Sequence, residues 1–287
     1  MNCTPEMLRL YAVTDRAWVG RQTLPQQVEA ALKGGATMIQ LREKQLDDAA
    51  LLAEAREICA LCKAYHVPFI LNDNVPLAKL CDADGVHVGQ EDLAAAEARR
   101  LLGPGKIVGV SAHNVAEAQK ALADGADYLG CGAMFTTHTK KNVHVITREL
   151  LTEVCASVPI PVVAIGGIHK DNLLTLAGTG IAGVALVTAI FGAEDIAKEC
   201  TELREMVAKL YQARPLRRFA PAPPKGEPGA AADRGHHLLP RNKIHVRSFV
   251  MKTAFFCGGA GIQFDLAYRG RRVCSGTFPP PDASHTA

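Results

Sequence analysis

The run Gln40-Leu41-Arg42-Glu43-Lys44 sets one amide and two cations at the end of an apolar segment that follows Gly34-Gly35. Read from Thr37, the segment alternates as a β-strand does, so its polar groups gather where the strand stops. Such a group suits a ligand carrying several phosphate charges. Two carboxylates occupy comparable places, Asp73 after an apolar run at 69–72 and Asp92 after another at 85–88. Mg²⁺ takes one or two carboxylates and fills its remaining positions with water and phosphate oxygens, so Asp73 and Asp92 are candidate metal ligands. With Arg42, Lys44 and Lys140 nearby, the natural ligand is a diphosphate bridging metal and cations. The competing reading is that Asp73 or Asp92 caps the helix that follows, most seriously for Asp92.

Two further segments offer anion-binding groups. Gly132 to Lys140 is long and aperiodic, and its threonines and ammonium suit anionic oxygens; its length suits a loop closing over substrate, or else an ordinary solvated loop. Ile165-Gly166-Gly167-Ile168 and Leu186-Val187-Thr188 end later apolar runs, where glycine exposes backbone N–H groups to a second phosphate. The histidines read as non-catalytic. His87 alternates within a strand as an interior or rim residue, and His113 and His138 lie on loops with no acid or cysteine in a nucleophile arrangement. Positioning and leaving-group stabilisation fit this residue set better than nucleophilic catalysis.

Positioning these groups falls to an alternation of short apolar runs and amphipathic helices between Leu8 and Leu210. Strands are expected at 10–13, 38–41, 69–72, 85–88, 107–110, 128–131, 162–165 and 184–187. Helices are expected near 24–33, 47–65, 75–81, 92–102, 114–123, 146–156, 170–177 and 193–211, with Asp47, Asn114 and Asp171 as caps. Eight such units predict an α/β fold of the (β/α)₈ TIM-barrel type. A doubly wound sheet would ordinarily carry G-x-G-x-x-G after its first strand, and none stands there. In a barrel the functional residues sit at the C-terminal ends of strands, and the polar outliers fall there: Thr14-Asp15, Gln40/Arg42/Lys44, Asn72-Asp73, Gly89 to Asp92, Ser111 to His113, Gly132 to Lys140, Gly166-Gly167 and Thr188.

The charge divides the chain. Residues 1–213 hold 20 Lys/Arg against 25 Asp/Glu, whereas 214–287 hold 12 against 4, so the basic balance belongs to the tail. No recognition helix, aromatic platform or zinc spacing accompanies that basicity, and specific nucleic-acid binding is not expected. The 9 cysteines show no framework spacing. Cys59-Ala60-Leu61-Cys62 falls inside a helix and reads as two packed thiols, not a redox pair. Reduced thiols, no signal sequence and no bilayer-length apolar run make a soluble, cytoplasmic protein the expectation.

Over residues 8–211 the chain resembles the thiamine-phosphate synthase family. The resemblance rests on Tyr11-Ala12-Val13-Thr14-Asp15, Gln40 to Lys44, Leu71-Asn72-Asp73, Gly85-Val86-His87-Val88-Gly89-Gln90-Glu91-Asp92, Gly109-Val110-Ser111-Ala112-His113, Thr137-His138-Thr139-Lys140-Lys141 and Ile165 to Ile168. It implies a (β/α)₈ barrel that joins the diphosphate of 4-amino-5-hydroxymethyl-2-methylpyrimidine to a thiazole with a phosphorylated hydroxyethyl arm. The resemblance places Gln40, Arg42, Lys44, Asn72, Ser111 and Lys140 on the pyrimidine diphosphate, and Asp73 and Asp92 on Mg²⁺. It places Thr137, Thr139, Gly167, Val187 and Thr188 on the thiazole phosphate. Diphosphate is implied to leave first, giving a pyrimidine-methyl cation that the thiazole nitrogen attacks, with Arg42, Lys44, Lys140 and Ser111 as the catalytic set. The implied partners are thus small molecules, with no membrane or specific nucleic acid, in a chain open to homo-oligomerisation.

A related thiazole tautomerase carries a histidine in the loop after the sixth strand, where this chain has Ala133. That substitution argues against an isomerase; a non-catalytic barrel that binds phosphorylated ligands is the other alternative. The chain departs from the family's usual residues at Ala133, Thr136, Asn142 and Thr188. After Arg214, prolines at 215, 221, 223, 224, 228 and 240 mark residues 214–249 as a basic linker. In 250–287, Gly258 to Leu266 resembles the opening of the hydroxymethylpyrimidine-phosphate kinase family, a truncated remnant expected to be disordered and without kinase activity.

Overall fold

The computed structural model describes residues 2–20, 22–90, 92–137, 144–212, 253–258, 261–268 and 271–278. The chain divides into two units, Met1–Ala222 and Pro223–Ala287. In the first, eight parallel strands close into a barrel in sequence order: β1 (Leu10–Val13), β2 (Met38–Leu41), β3 (Phe69–Asn72), β4 (Gly85–Val88), β5 (Ile107–Ala112), β6 (Tyr128–Gly132), β7 (Val162–Ile165) and β8 (Gly183–Leu186). The helices between them are α1 (Leu24–Lys33), α2 (Asp48–Ala64), α3 (Val75–Leu80), α4 (Ala95–Leu102), α5 (Val115–Ala123), α6 (Arg148–Ser157), α7 (Lys170–Leu173), α8 (Thr188–Phe191) and α9 (Ile196–Gln212).

Strand parity sorts the side chains into two layers. Leu10, Ala12, Ile39, Leu41, Val86, Val88, Val108, Val110, Leu129, Cys131, Val184 and Leu186 join one apolar cluster with the inner faces of the helices. Tyr11, Val13, Met38, Ile70, Tyr128, Val163 and Ala185, one residue out of phase, join the cluster inside the barrel. A slip of one residue in any strand would exchange the two sets, so the register is strongly specified. The barrel interior also carries glycines that make room for large neighbours. A Cβ on Gly109 would lie 2.1 Å from the Tyr128 ring carbon that bears its hydroxyl, and one on Gly130 would lie 3.1 Å from His87 Cε1. Gly109 and Gly130 thus let Tyr128 and His87 lie inside the barrel without overpacking.

Among the described residues, six helices begin where a side chain takes an otherwise orphan N–H, including α2 at Asp47, α3 at Asn74 and α5 at Asn114. Three expectations change. Asp171 lies inside α7 and does not cap it; the cap position is His169, whose backbone N–H donates to Asn172 Oδ1 at 2.9 Å. The helix expected at 193–211 is preceded by a separate short helix, α8, before α9 begins at Ile196. Finally, α4 starts at Ala95 with Ala94 in the cap position and α3 is capped by Asn74, so neither Asp92 nor Asp73 is a helix cap.

In the second unit, β9 (Thr253–Gly258), β10 (Gly261–Tyr268) and β11 (Arg271–Phe278) pair antiparallel in the order β11-β10-β9. The sequence reading placed no sheet in 250–287. The Pro-rich stretch expected as a linker lies outside the described residues. Among the described residues no helix is long and apolar enough to cross a membrane.

Candidate active site

The C-terminal ends of the barrel strands surround a cavity of about 190 Å³. Gln40, Arg42, Asn72, Ser111, Thr137, Gly167, Val187 and Thr188 all line it, contributed by β2, β3, β5, the segment after β6, and the turns after β7 and β8. Val163, Ile165, Ile168 and Ala185 supply an apolar wall, and Tyr11, His87 and His113 add groups that the sequence reading had not placed on substrate. Thr139, Lys140 and Asn142 lie outside the described residues.

Each polar group is held by its own local structure. The backbone N–H of Arg42 donates to the fully buried Thr14 Oγ1 at 3.0 Å, which pins the residue just past β2. Glu43, its side chain 1% exposed, folds under the loop and pairs with Arg16, whose Nη2 also donates to Glu54 at 2.6 Å. Its other oxygen accepts from the Lys44 and Gln45 backbone N–H groups at 2.7 and 2.6 Å. Burial works against the Glu43 charge, but Arg16 and those two amides outweigh it and hold the carboxyl below its ordinary range. An anionic Glu43 therefore fixes the backbone from which Lys44 projects.

Lys44 Nζ donates to Asp73 Oδ2 at 2.6 Å, and Asn72 Nδ2 donates to the same oxygen. Asp73 takes up a left-handed backbone, φ 61°, uncommon outside glycine and asparagine, which turns its carboxylate back toward Lys44 and Asp92. Asp92 accepts from the Gly89 backbone N–H at 2.8 Å. Asp73 is held above the ordinary aspartate range. Burial is the largest cause, and Asp92 within hydrogen-bonding reach adds to it against the pull of Lys44. Two carboxylates in such contact repel, and a bound cation would relieve both charges. The donor set is hard oxygen, in keeping with Mg²⁺ and not with a soft metal. Among the described residues no three His, Cys, Asp or Glu side chains converge, so a metal here would complete its shell from ligand and water.

After β7, Gly166 and Gly167 both have positive φ, 96° and 65°. A Cβ on Gly167 would lie 2.5 Å from the Thr136 carbonyl oxygen, so glycine is required for the two rim segments to approach. Val187 and Thr188 open α8, and no side chain caps that helix.

Two features of the site were not legible as pairs in the sequence. His113 lines the cavity, and its Nδ1 lies 2.8 Å from Glu117 Oε2 on α5; the sequence reading had assigned it no acidic partner. Glu117 also accepts from the His113 backbone N–H at 2.8 Å and from Asn114 Nδ2 at 2.7 Å. Burial opposes its charge, while the His113 contacts hold it below the ordinary range. The i, i+4 spacing was the available signal. Second, Tyr11, Tyr128 and His87 connect Gln40 to Ser111 through the barrel interior, from residues 117 and 41 positions apart in sequence. Their shared inward parity was the signal there.

The family model described as thiamine monophosphate synthase matches residues 10–190. A thiamine-phosphate synthase of Clostridium botulinum is 44% identical over 201 residues, covering 70% of this chain and 94% of that protein. One from Clostridium tetani is 42% identical, covering 71% of this chain and 95% of the relative. Among solved structures, the thiamine phosphate pyrophosphorylase from Pyrococcus furiosus superposes with a TM-score of 0.66 at 39% identity, covering 72% of this chain and 98% of the other.

Proposed function

Since the chain belongs to the thiamine monophosphate synthase family and is a transferase whose condensation yields thiamine phosphate, we propose that its rim cavity joins 4-amino-5-hydroxymethyl-2-methylpyrimidine diphosphate to 4-methyl-5-(2-phosphoethyl)thiazole. The observation that carries this reading is the convergence of Gln40, Arg42, Asn72, Ser111, Thr137, Gly167, Val187 and Thr188 on one cavity, with Asp73 beside Asn72 and within reach of both Lys44 and Asp92.

Arg42, Lys44 and Lys140 bind the diphosphate, and Ser111 and Asn72 donate to its oxygens or to the pyrimidine. Asp73 and Asp92 would hold Mg²⁺, which when bound supplies charge neutralisation for the departing diphosphate. Gln40 orients the pyrimidine. Thr137, Thr139, Gly167, Val187 and Thr188 hold the thiazole phosphate on the far side of the reacting carbon. The carbon–oxygen bond breaks with both electrons going to diphosphate, where the Arg42 and Lys44 cations stabilise the growing negative charge. The thiazole nitrogen then gives its lone pair to the pyrimidine-methyl cation, forming the carbon–nitrogen bond. Val163, Ile165 and Ala185 line the cavity with apolar surface that keeps water from capturing the cation. No protein nucleophile is required.

The order of bond breaking has a direct test. A pyrimidine diphosphate bearing an electron-withdrawing group in place of its methyl destabilises the cation, and its turnover is expected to fall by more than about tenfold, with little change in KM. An unchanged kcat would contradict diphosphate departure as the slow first step. We place the reaction in the cytoplasm, a setting that the buried thiols of Cys3, Cys59, Cys62, Cys81, Cys131 and Cys200 fit.

A further inference from the structure

A chain of four hydrogen bonds crosses the barrel interior. Gln40 Nε2 donates to the Tyr11 hydroxyl at 2.6 Å, and the Tyr11 and Tyr128 hydroxyls lie 2.8 Å apart. Tyr128 lies 3.0 Å from His87 Nδ1, and His87 Nε2 lies 3.0 Å from Ser111 Oγ. Tyr11 and Tyr128 are fully buried, their rings edge-to-face with centroids 5.9 Å apart. Burial raises the pKa of both phenols, so each keeps one proton and must place it. An unplaced hydroxyl proton in such surroundings is costly.

With the Gln40 amide donating to Tyr11, placing those protons sets the direction of the chain. Tyr11 accepts from Gln40, so its own proton goes to Tyr128. Tyr128 then gives its proton to His87 Nδ1. The His87 ring proton is thereby on Nε2, where it is donated to Ser111 Oγ. Ser111 has its acceptor role filled by the protein, and its O–H is left to donate into the cavity. Turning the Gln40 amide over would reverse every bond at once and leave Ser111 an acceptor facing the ligand. An anionic, phosphorylated ligand requires the first arrangement.

We propose that Tyr11, Tyr128 and His87 are positioning residues, which lock the Gln40 amide and the Ser111 hydroxyl into opposite hydrogen-bond polarities. The cavity then takes a ligand that donates at Gln40 and accepts at Ser111. This inference rests on the cavity being the substrate site. An aminopyrimidine carrying a diphosphate has both groups: an exocyclic amine to donate, and ring nitrogens and phosphate oxygens to accept.

The test is the His87 tautomer in full-length protein labelled with ¹⁵N-histidine, read from long-range ¹H–¹⁵N correlations at mildly alkaline pH and assigned by the loss of its signals in His87→Gln. The neutral Nε2–H form is expected, and it should become a mixture of tautomers in Tyr128→Phe, which keeps the ring and removes the hydroxyl. The same variant is expected to lose about tenfold in kcat/KM, the effect of one broken hydrogen bond. Tyr11→Phe, one link further on, should move both readouts in the same direction. A wild-type Nδ1–H tautomer would overturn the proposal, as would a Tyr128→Phe enzyme with an unaltered tautomer or unaltered kcat/KM. The tautomer is read without substrate, so its result stands apart from the identity of the reaction.

Discussion

Arg42→Ala is expected to lower kcat/KM by about a hundredfold while shifting the melting temperature by no more than about two degrees. The Arg42 side chain lines the cavity, and its guanidinium makes no hydrogen bond or ion pair among the described residues. Its removal therefore orphans no buried carboxylate, the usual source of large stability losses when an ion pair is cut. The backbone stays anchored through Thr14 and the β2 ladder. On the proposed mechanism, what is lost is a donor to charge that grows as the diphosphate departs, and deleting one such donor typically costs 10²–10³ in rate, about 3–4 kcal/mol. Arg42→Lys should recover only part of this, because an ammonium lacks the planar fork that matches phosphate oxygens. Kinetics of the three proteins beside their thermal melts separate the outcomes. A variant that melts normally and turns over normally would remove Arg42 from the reaction.

Removing divalent metal is expected to have a still larger effect, at least about a thousandfold in kcat, reversed by added Mg²⁺. The expectation comes from the approach of Asp73 and Asp92, of which Asp73 has the Lys44 ammonium as its cationic partner. Asp92→Asn discriminates this account from a purely structural one. The substituted amide can still accept from the Gly89 N–H through its oxygen, so the turn is preserved while one charge is deleted. Without metal, loss of the repulsion should make the variant at least as stable as the parent. With metal, the Mg²⁺ concentration needed for half-maximal rate should rise by about tenfold or more. A rate indifferent to chelation, or a variant with unaltered Mg²⁺ dependence, would leave Asp73 and Asp92 as turn-forming residues only.

The barrel was largely readable in the sequence because parallel strands covered on both faces appear as short apolar runs bounded by glycine. Seven of the expected strands begin and end at the expected positions or extend past them by one or two residues at the rim, as β5 and β6 do, and β8 lies one residue earlier than expected. The rim beyond β8 was harder: α8 and α9 share one amphipathic pattern, and only the turn between them, at Gly192 to Asp195, separates the two. Gln40, Arg42, Asn72 and Ser111 were legible as polar residues ending apolar runs. The helix-cap reading of Asp92 required coordinates to dismiss, since it depends on whether the helix starts at once or three residues later. Tyr11, Tyr128 and His87 escaped because each looks like an ordinary core residue in its own strand. Only barrel closure, which brings β1, β4 and β6 to face one interior, makes them a chain.

Formation of thiamine phosphate at the rim of this barrel is tested most directly by supplying the full-length protein with the pyrimidine diphosphate, the thiazole phosphate and Mg²⁺, and measuring product as thiochrome fluorescence after dephosphorylation and oxidation. Product is expected from the complete mixture, falling to background with EDTA and dropping sharply in Lys140→Ala. A folded protein that binds both precursors and forms no product would contradict the account.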